Sequence, residues 1–281
     1  MISASRRTDI PAFHMPWFMR GVERGGFEVE HPFSRRVRFI PIPAASVHTI
    51  VFWSKDFGPF LEGRYGERLE ARGFHLYFQF TLNPADPVLE PGVPPLAERL
   101  AQLRELALRF GAACVNWRLD PICFYRLEEN GRLRDNRGGM EPIADAAAAA
   151  GIRRCTTSFL DLYAKVGRRV AGMSGFSFVD PPTEVKVETI LGLEALLCER
   201  GISLLTCCEA GLLERLPAAS RIRAGACIPS EQLVALYGGS LSFARDPGQR
   251  RAQGCLCRVS VDIGSYGRQR CRHGCLYCYA I

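Results

Sequence analysis

Six short β-rich segments, held apart by stretches of helix length, constrain this chain more than any other feature: residues 1–5 (MISAS), 49–55 (TIVFWSK), 75–83 (HLYFQFTLN), 114–122 (CVNWRLDPI), 154–161 (RCTTSFLD) and 202–208 (ISLLTCC). The helix candidates are HMPWFMRGVERG (14–25), FGPFLEGRYGERLEARG (57–73), PPLAERLAQLRELALRFG (94–111), EPIADAAAAAG (141–151) and PTEVKVETILGLEALLCERG (182–201). All end at glycine, as helix C-termini often do. A repeated strand-helix order calls for parallel strands joined by crossover helices. The expected class is α/β: a full or partial (β/α) barrel of about six parallel strands over residues 1–210, with a cysteine-rich segment, 211–281, packed on its mouth. An open doubly wound sheet has the same order of elements. A hairpin is expected over FEVEHPFSRRVRFIPI (27–42), and a glycine-rich loop over ENGRLRDNRGGME (129–141).

Side chains alternate across a strand, so every second residue shares a face. One face collects Ser3 and Ser5, Trp53 and Lys55, Gln79, Thr81 and Asn83, Asn116, Arg118 and Asp120, and Thr156 and Ser158. The other collects Phe78, Phe80 and Leu82, or Val115, Trp117 and Leu119, as suits strands lying under helices. A strand packed only for stability would be apolar on both faces. The polar set therefore predicts a pocket at the C-terminal ends of the strands, where such folds place their chemistry. Its candidate lining is Arg6, Arg7, Lys55, Gln79, Asn83, Arg118 and Asp120, joined by Thr8, Asp9, Asp161 and Tyr163 from the loops. Arginines placed there suit a carboxylate or phosphate, or pair internally with Asp9, Asp120 or Asp161.

The net charge of +7 arises from 36 basic and 29 acidic residues, and the arginines are scattered rather than gathered on one face. A solvated surface is expected before a nucleic-acid patch, and an anionic substrate is compatible with both. The opening MISASRRTDIP turns polar too early for a signal peptide, and no apolar run is long enough to cross a bilayer. A cytoplasmic protein with no membrane partner is the expectation.

Twelve cysteines are many for such a chain, and in a reducing compartment they suit metal ligation or reactive thiols better than disulfides. Cys114, Cys123, Cys155 and Cys198 are spread singly, as inert buried thiols are. The remaining eight fall after residue 206. Cys271, Cys275 and Cys278 form C-x3-C-x2-C, which admits an iron-sulfur cluster with one coordination position open, zinc, or reactive thiols. Cys255 and Cys257 form C-x-C; with Cys207 (or Cys208 in its place) and Cys227 they would complete a four-cysteine site for a second iron-sulfur cluster or a zinc ion. His273 is expected to make a loop hydrogen bond, and Asp262, Gly264, Tyr266 and Gly267 to shape the turn before the triad.

The triad, with Tyr277 immediately before its third cysteine, resembles the cluster motif of the radical S-adenosylmethionine superfamily. The resemblance implies a four-iron four-sulfur cluster on Cys271, Cys275 and Cys278, S-adenosylmethionine chelated to the open iron, and Tyr277 near the adenine. It also implies reductive cleavage to a 5′-deoxyadenosyl radical that takes hydrogen from a substrate, and a full or partial (β/α) barrel. Most members carry the motif after their first strand; a circular permutation would bring this one to the barrel mouth. More narrowly, ISASRRTDIPAF, VFWSK, YFQFTLN, WRLDPI, SFLDLY and DIGSYGRQRCRHGCLYCYA resemble a prokaryotic family, the domain of unknown function eighteen-forty-eight. The closing block is also similar to the cysteine region of spore photoproduct lyase-like proteins.

Two function classes follow. In the first, an oxygen-sensitive radical enzyme takes its electron from a donor such as ferredoxin or flavodoxin and holds an unknown substrate, anionic or nucleic acid, in the polar pocket. In the second, the cysteines fold zinc modules onto a nucleic-acid-binding protein, whose affinity would fall steeply with salt.

Overall fold

A computed structural model describes residues 1–31, 34, 36–128 and 131–280. At its centre lies an eight-stranded sheet. Its strands are β1 (Ile2–Ala4), β2 (Thr49–Ser54), β3 (His75–Thr81), β4 (Val115–Ile122), β5 (Arg154–Phe159), β6 (Ser203–Thr206), β7 (Arg223–Ala224) and β8 (Val261–Asp262). Each of the six expected segments supplies one of the first six strands. Their spatial order runs β7-β6-β5-β4-β3-β2-β1-β8 and all neighbours are parallel. Chain order is thus kept across the sheet, and β8 returns to the free side of β1. A doubly wound sheet would reverse direction at a switch point; the change of side here comes with β8, which lies beyond β1.

The two additional strands are the short edges β7 and β8, and both come from the segment after residue 210. With two residues each, they carry no alternation from which a strand could be read.

The alternation in the inner strands did sort their faces. Phe52 pairs in register with Phe78, Phe78 with Val115, and Trp117 with Cys155. Their side chains join one continuous core. In it the rings of Phe52, Phe57, Phe60, Phe78 and Phe80 pack at centroid separations of 5.0 to 6.2 Å, edge-to-face except for Phe52 and Phe78, which stack. Trp117 is wholly buried and donates its indole N–H to the Leu82 carbonyl at 2.9 Å. The covering helices are Met15–Glu23, Leu96–Phe110, Glu141–Ala149 and Thr183–Cys198.

Local detail differs from expectation in two places. The continuous helix expected over 57–73 is two helices, Gly58–Glu62 and Tyr65–Glu70, because Arg64 turns left-handed at φ 48° between them. Part of the expected loop over 129–141 is a strand: Leu133–Asp135 joins Phe124–Leu127 and Phe176–Val179 in a three-stranded antiparallel sheet. Residues 129 and 130 of that stretch lie outside the described residues, as do 32, 33 and 35 of the hairpin turn. The hairpin itself pairs Gly26–Glu30 with Val37–Pro41. No helix among the described residues is long and apolar enough to cross a membrane.

Candidate functional site

The triad loop leaves the sheet from β8, where the Asp262 carboxylate ties that edge to β1. It accepts from Ser3 Oγ at 3.0 Å, Ser5 Oγ at 2.6 Å, Arg6 N at 2.8 Å and Gly264 N at 3.0 Å. The turn passes so close to β1 that a Cβ on Gly264 would lie 2.1 Å from Ser5 Oγ. Asp262 and Gly264 shape the turn in this way. Beyond it His273 makes the expected loop hydrogen bonds, with Nδ1 3.1 Å from the Gly92 carbonyl and Nε2 2.9 Å from Asp9 Oδ2. Asp9 also accepts from Ser54 Oγ and the Lys55 amide, and caps the helix Ile10–Phe13 through the Ala12 amide. One carboxylate therefore joins the ends of β1 and β2 to the triad loop.

Three further contacts hold the loop. The Gly92 amide donates to the His273 carbonyl at 2.9 Å, an approach that a Cβ would block at 2.8 Å from that same oxygen. The Leu276 amide donates to the Leu89 carbonyl, and the Arg169 guanidinium donates to the carbonyls of Cys275, Leu276 and Cys278. So held, Cys275 is buried and Cys271 and Cys278 are half-buried. Burial pushes the Cys271 and Cys275 thiols up to about 12, so both stay protonated near neutrality unless a cation binds them.

Beneath the loop lies a buried polar network. Lys55 Nζ donates to Glu90 Oε1 at 2.8 Å, Asn83 Nδ2 donates to the same oxygen at 2.6 Å, and the Tyr277 hydroxyl donates to it as well. Lys55 also stands 5.4 Å from the centre of the Tyr277 ring. Burial drives the Glu90 carboxyl up, but Lys55 more than offsets this and leaves it below the ordinary carboxylate range. Lys55 is lowered by burial and raised by Glu90, with a net rise. Burial and Glu90 hold the Tyr277 phenol well above its usual value. Arg118 and Asp120 pair at 2.6 Å, Ser158 Oγ donates to Asp120 at 2.5 Å, and the Asp120 amide donates to Asn83.

The second cysteine group sits over the polar face of the sheet. Cys207 Sγ lies 3.5 Å from Cys227 Sγ and 3.6 Å from Cys208 Sγ. Cys255 meets Cys207, Cys208 and Cys257, and Cys257 meets Cys227. Arg118 Nη1 donates to Cys227 Sγ at 2.7 Å, and Gln79 donates to the Cys227 carbonyl at 2.5 Å. Arg6 meets Cys257. Both guanidinium groups pack over the Trp53 ring, Arg6 at 5.0 Å and Arg118 at 5.4 Å from its centre. Among the described residues no group of three or more His, Cys, Asp or Glu side chains is arranged to hold a metal ion as it stands.

A cavity of about 1180 Å³ opens beside the triad loop. Arg6, Arg7, Lys165 and Arg270 bring positive charge to its wall, Tyr163, Tyr266 and Tyr279 bring rings, and Cys271 lies on it. The expected pocket residues thus divide. Arg6, Arg7 and Tyr163 line the cavity, whereas Lys55, Gln79, Asn83, Arg118 and Asp120 are not on its wall and spend their hydrogen bonds on the network and the thiols. Thr8 is buried, and Asp161 pairs with Arg250. Glu90 and Arg169 were not foreseen. Glu90 sits in the proline-rich stretch NPADPVLEPGVPP, where no periodicity marks a position, and Arg169 lies beside Arg168 in a short helix.

A family described as Domain of unknown function (DUF1848) matches residues 1–280. No curated protein matches the chain.

Proposed function

The chain belongs to the DUF1848 family, and from that premise we propose that it is an iron-sulfur enzyme of the radical S-adenosylmethionine type, with a four-iron four-sulfur cluster on Cys271, Cys275 and Cys278. The observation that carries this reading is a three-thiol loop with one thiol, Cys271, on the wall of a cavity large enough for S-adenosylmethionine and a substrate together.

The donor set fits the cluster. Three thiols from one short loop would hold the cluster and leave one metal position without a protein ligand, and Cys271 lies on the cavity wall. The strand order supports the same reading. A sheet whose strands keep chain order, and whose last strand returns beside the first, has the order of a (β/α) barrel opened between its edge strands. In that barrel the triad follows the strand next to β1, as a circular permutation of the superfamily's arrangement requires.

When bound, the cluster would supply the single electron for reductive cleavage of S-adenosylmethionine to methionine and a 5′-deoxyadenosyl radical, which would take hydrogen from the substrate. The chain's own residues bind and shield. Arg6, Arg7, Lys165 and Arg270 attract and orient carboxylate or phosphate groups, the arginines in bidentate fashion. Tyr163, Tyr266 and Tyr279 offer rings for an adenine or another flat group. Tyr277, Lys55 and Glu90 close the floor behind Cys275 and keep water from it.

Anaerobic reconstitution with iron and sulfide, followed by electron paramagnetic resonance of the reduced protein, tests the assignment. The expected result is a reduced-cluster signal that changes when S-adenosylmethionine is added and is absent from a Cys271→Ala, Cys275→Ala, Cys278→Ala variant. A silent reduced spectrum, or a signal indifferent to S-adenosylmethionine, overturns it. Salt-dependent nucleic-acid binding by a zinc-loaded protein would then be the reading to pursue.

A further inference from the structure

We infer that Cys207, Cys227, Cys255 and Cys257 form a second, separate site that takes one tetrahedrally held divalent ion, zinc by the chemistry of its ligands, rather than an iron-sulfur cluster. The inference does not depend on the triad.

Spacing carries the argument. Four thiolates about 2.3 Å from one tetrahedral zinc ion stand about 3.8 Å from one another. The separation of 3.5 Å between Cys207 Sγ and Cys227 Sγ is of that size. A four-iron cluster sits between its thiolates and holds them much further apart. Burial selects four thiols from the five, and contacts join those four. Cys207 meets Cys227, Cys227 meets Cys257, Cys257 meets Cys255, and Cys255 meets Cys207, which closes a ring. Cys208 touches only Cys207 and Cys255 and stands outside it, half-buried where the four others are buried.

The surroundings suit four thiolates around a dication, a unit that carries excess negative charge. Arg118 already donates to Cys227 Sγ at 2.7 Å. Arg6 meets Cys257, and its buried Nη2 has no hydrogen-bond partner among the described residues. Two guanidinium groups are thus placed as outer donors to two of the four sulfurs, the arrangement that orients thiolate ligands and tempers their charge. The ligands come from three places, the end of β6, the loop after β7 and the approach to β8, so an ion here would fasten both edges of the sheet to its interior.

The test uses zinc and cobalt(II) alone, on the whole protein purified in air. About one zinc per chain is expected in the wild type. The same content is expected in the Cys271→Ala, Cys275→Ala, Cys278→Ala variant and in Cys208→Ala, and a loss of nearly all of it in Cys255→Ala, Cys257→Ala. Cobalt(II) in its place should give strong thiolate-to-metal absorption and the visible bands of tetrahedral coordination. Should the double variant fail to fold, the cobalt spectra of the wild type and the triad variant decide alone. Absence of the tetrahedral bands, loss of zinc from the triad variant, or uptake of about four irons with sulfide by the triad variant would each overturn the inference.

Discussion

Glu90 is the residue on which most of the buried chemistry converges, since a lysine, an asparagine and a tyrosine all bond to its carboxylate. With side chains only 14% and 4% exposed, Lys55 and Glu90 form a pair whose disruption leaves an uncompensated charge. Glu90→Gln is therefore expected to cost about 3–5 kcal/mol in chemical denaturation. The pH dependence has a definite sign. The folded Glu90 carboxyl lies below its ordinary 4.5, so its contribution is present above that value and lost as pH falls through the lowered one. Folded Lys55 lies above its ordinary 10.5, so its contribution is present below that value and lost as pH rises through the raised one. Denaturation from pH 3 to 7 should show stability declining on the acid side in the wild type and a shallower decline in Glu90→Gln; parallel curves would remove Glu90 from that role. None of this was legible in the sequence. Lys55 stood out because it extends a strand's polar face, but its partner lies 35 residues away in an aperiodic loop.

At the level of elements, the triad loop and the central strands owe their order to different forces. The loop is held by its backbone: Arg169 donates to three of its carbonyls, and Leu276 and Gly92 lock it to the 89–92 turn. Arg169→Ala removes those donors at a local cost of about 1–3 kcal/mol. Faster amide exchange at Leu276 and Cys278 should follow, with β3 and β4 unchanged; uniform protection would refute the arginine's role. The central strands are held by their apolar face. Trp117→Ala should cost about 3–5 kcal/mol by thermal or chemical denaturation, because it opens a cavity at a fully buried ring and strands the Leu82 carbonyl. Its position was legible, since Val115, Trp117 and Leu119 alternate with Asn116 and Arg118. Edge strands of two residues have no such alternation, and a helix split by one left-handed residue keeps its apolar spacing through the break.

For the whole molecule, the two thiol groups occupy the place where the sheet's edges come back to its interior. Should the four-thiol site hold its ion, a chelator will lower stability by an amount set by mass action, about 2.7 kcal/mol where free ion stands at a hundredfold its dissociation constant. A thermal midpoint that falls on chelation in the wild type but not in Cys255→Ala, Cys257→Ala is the expected pattern; equal falls would place the ion elsewhere. By itself the sequence determined the parallel α/β order and which face of each long strand is apolar. These rest on alternation and spacing along the chain, which short-range geometry converts directly into faces and loops. Only the tertiary structure decided that Asp9 receives His273 across 264 residues, that Glu90 receives Lys55, that Arg118 turns to a thiol, and that the cavity opens at Arg6, Arg7 and Cys271 rather than along the polar strand face. Those outcomes depend on where loops land once the sheet has formed, and a buried charge or thiol takes whichever partner the packing places within reach.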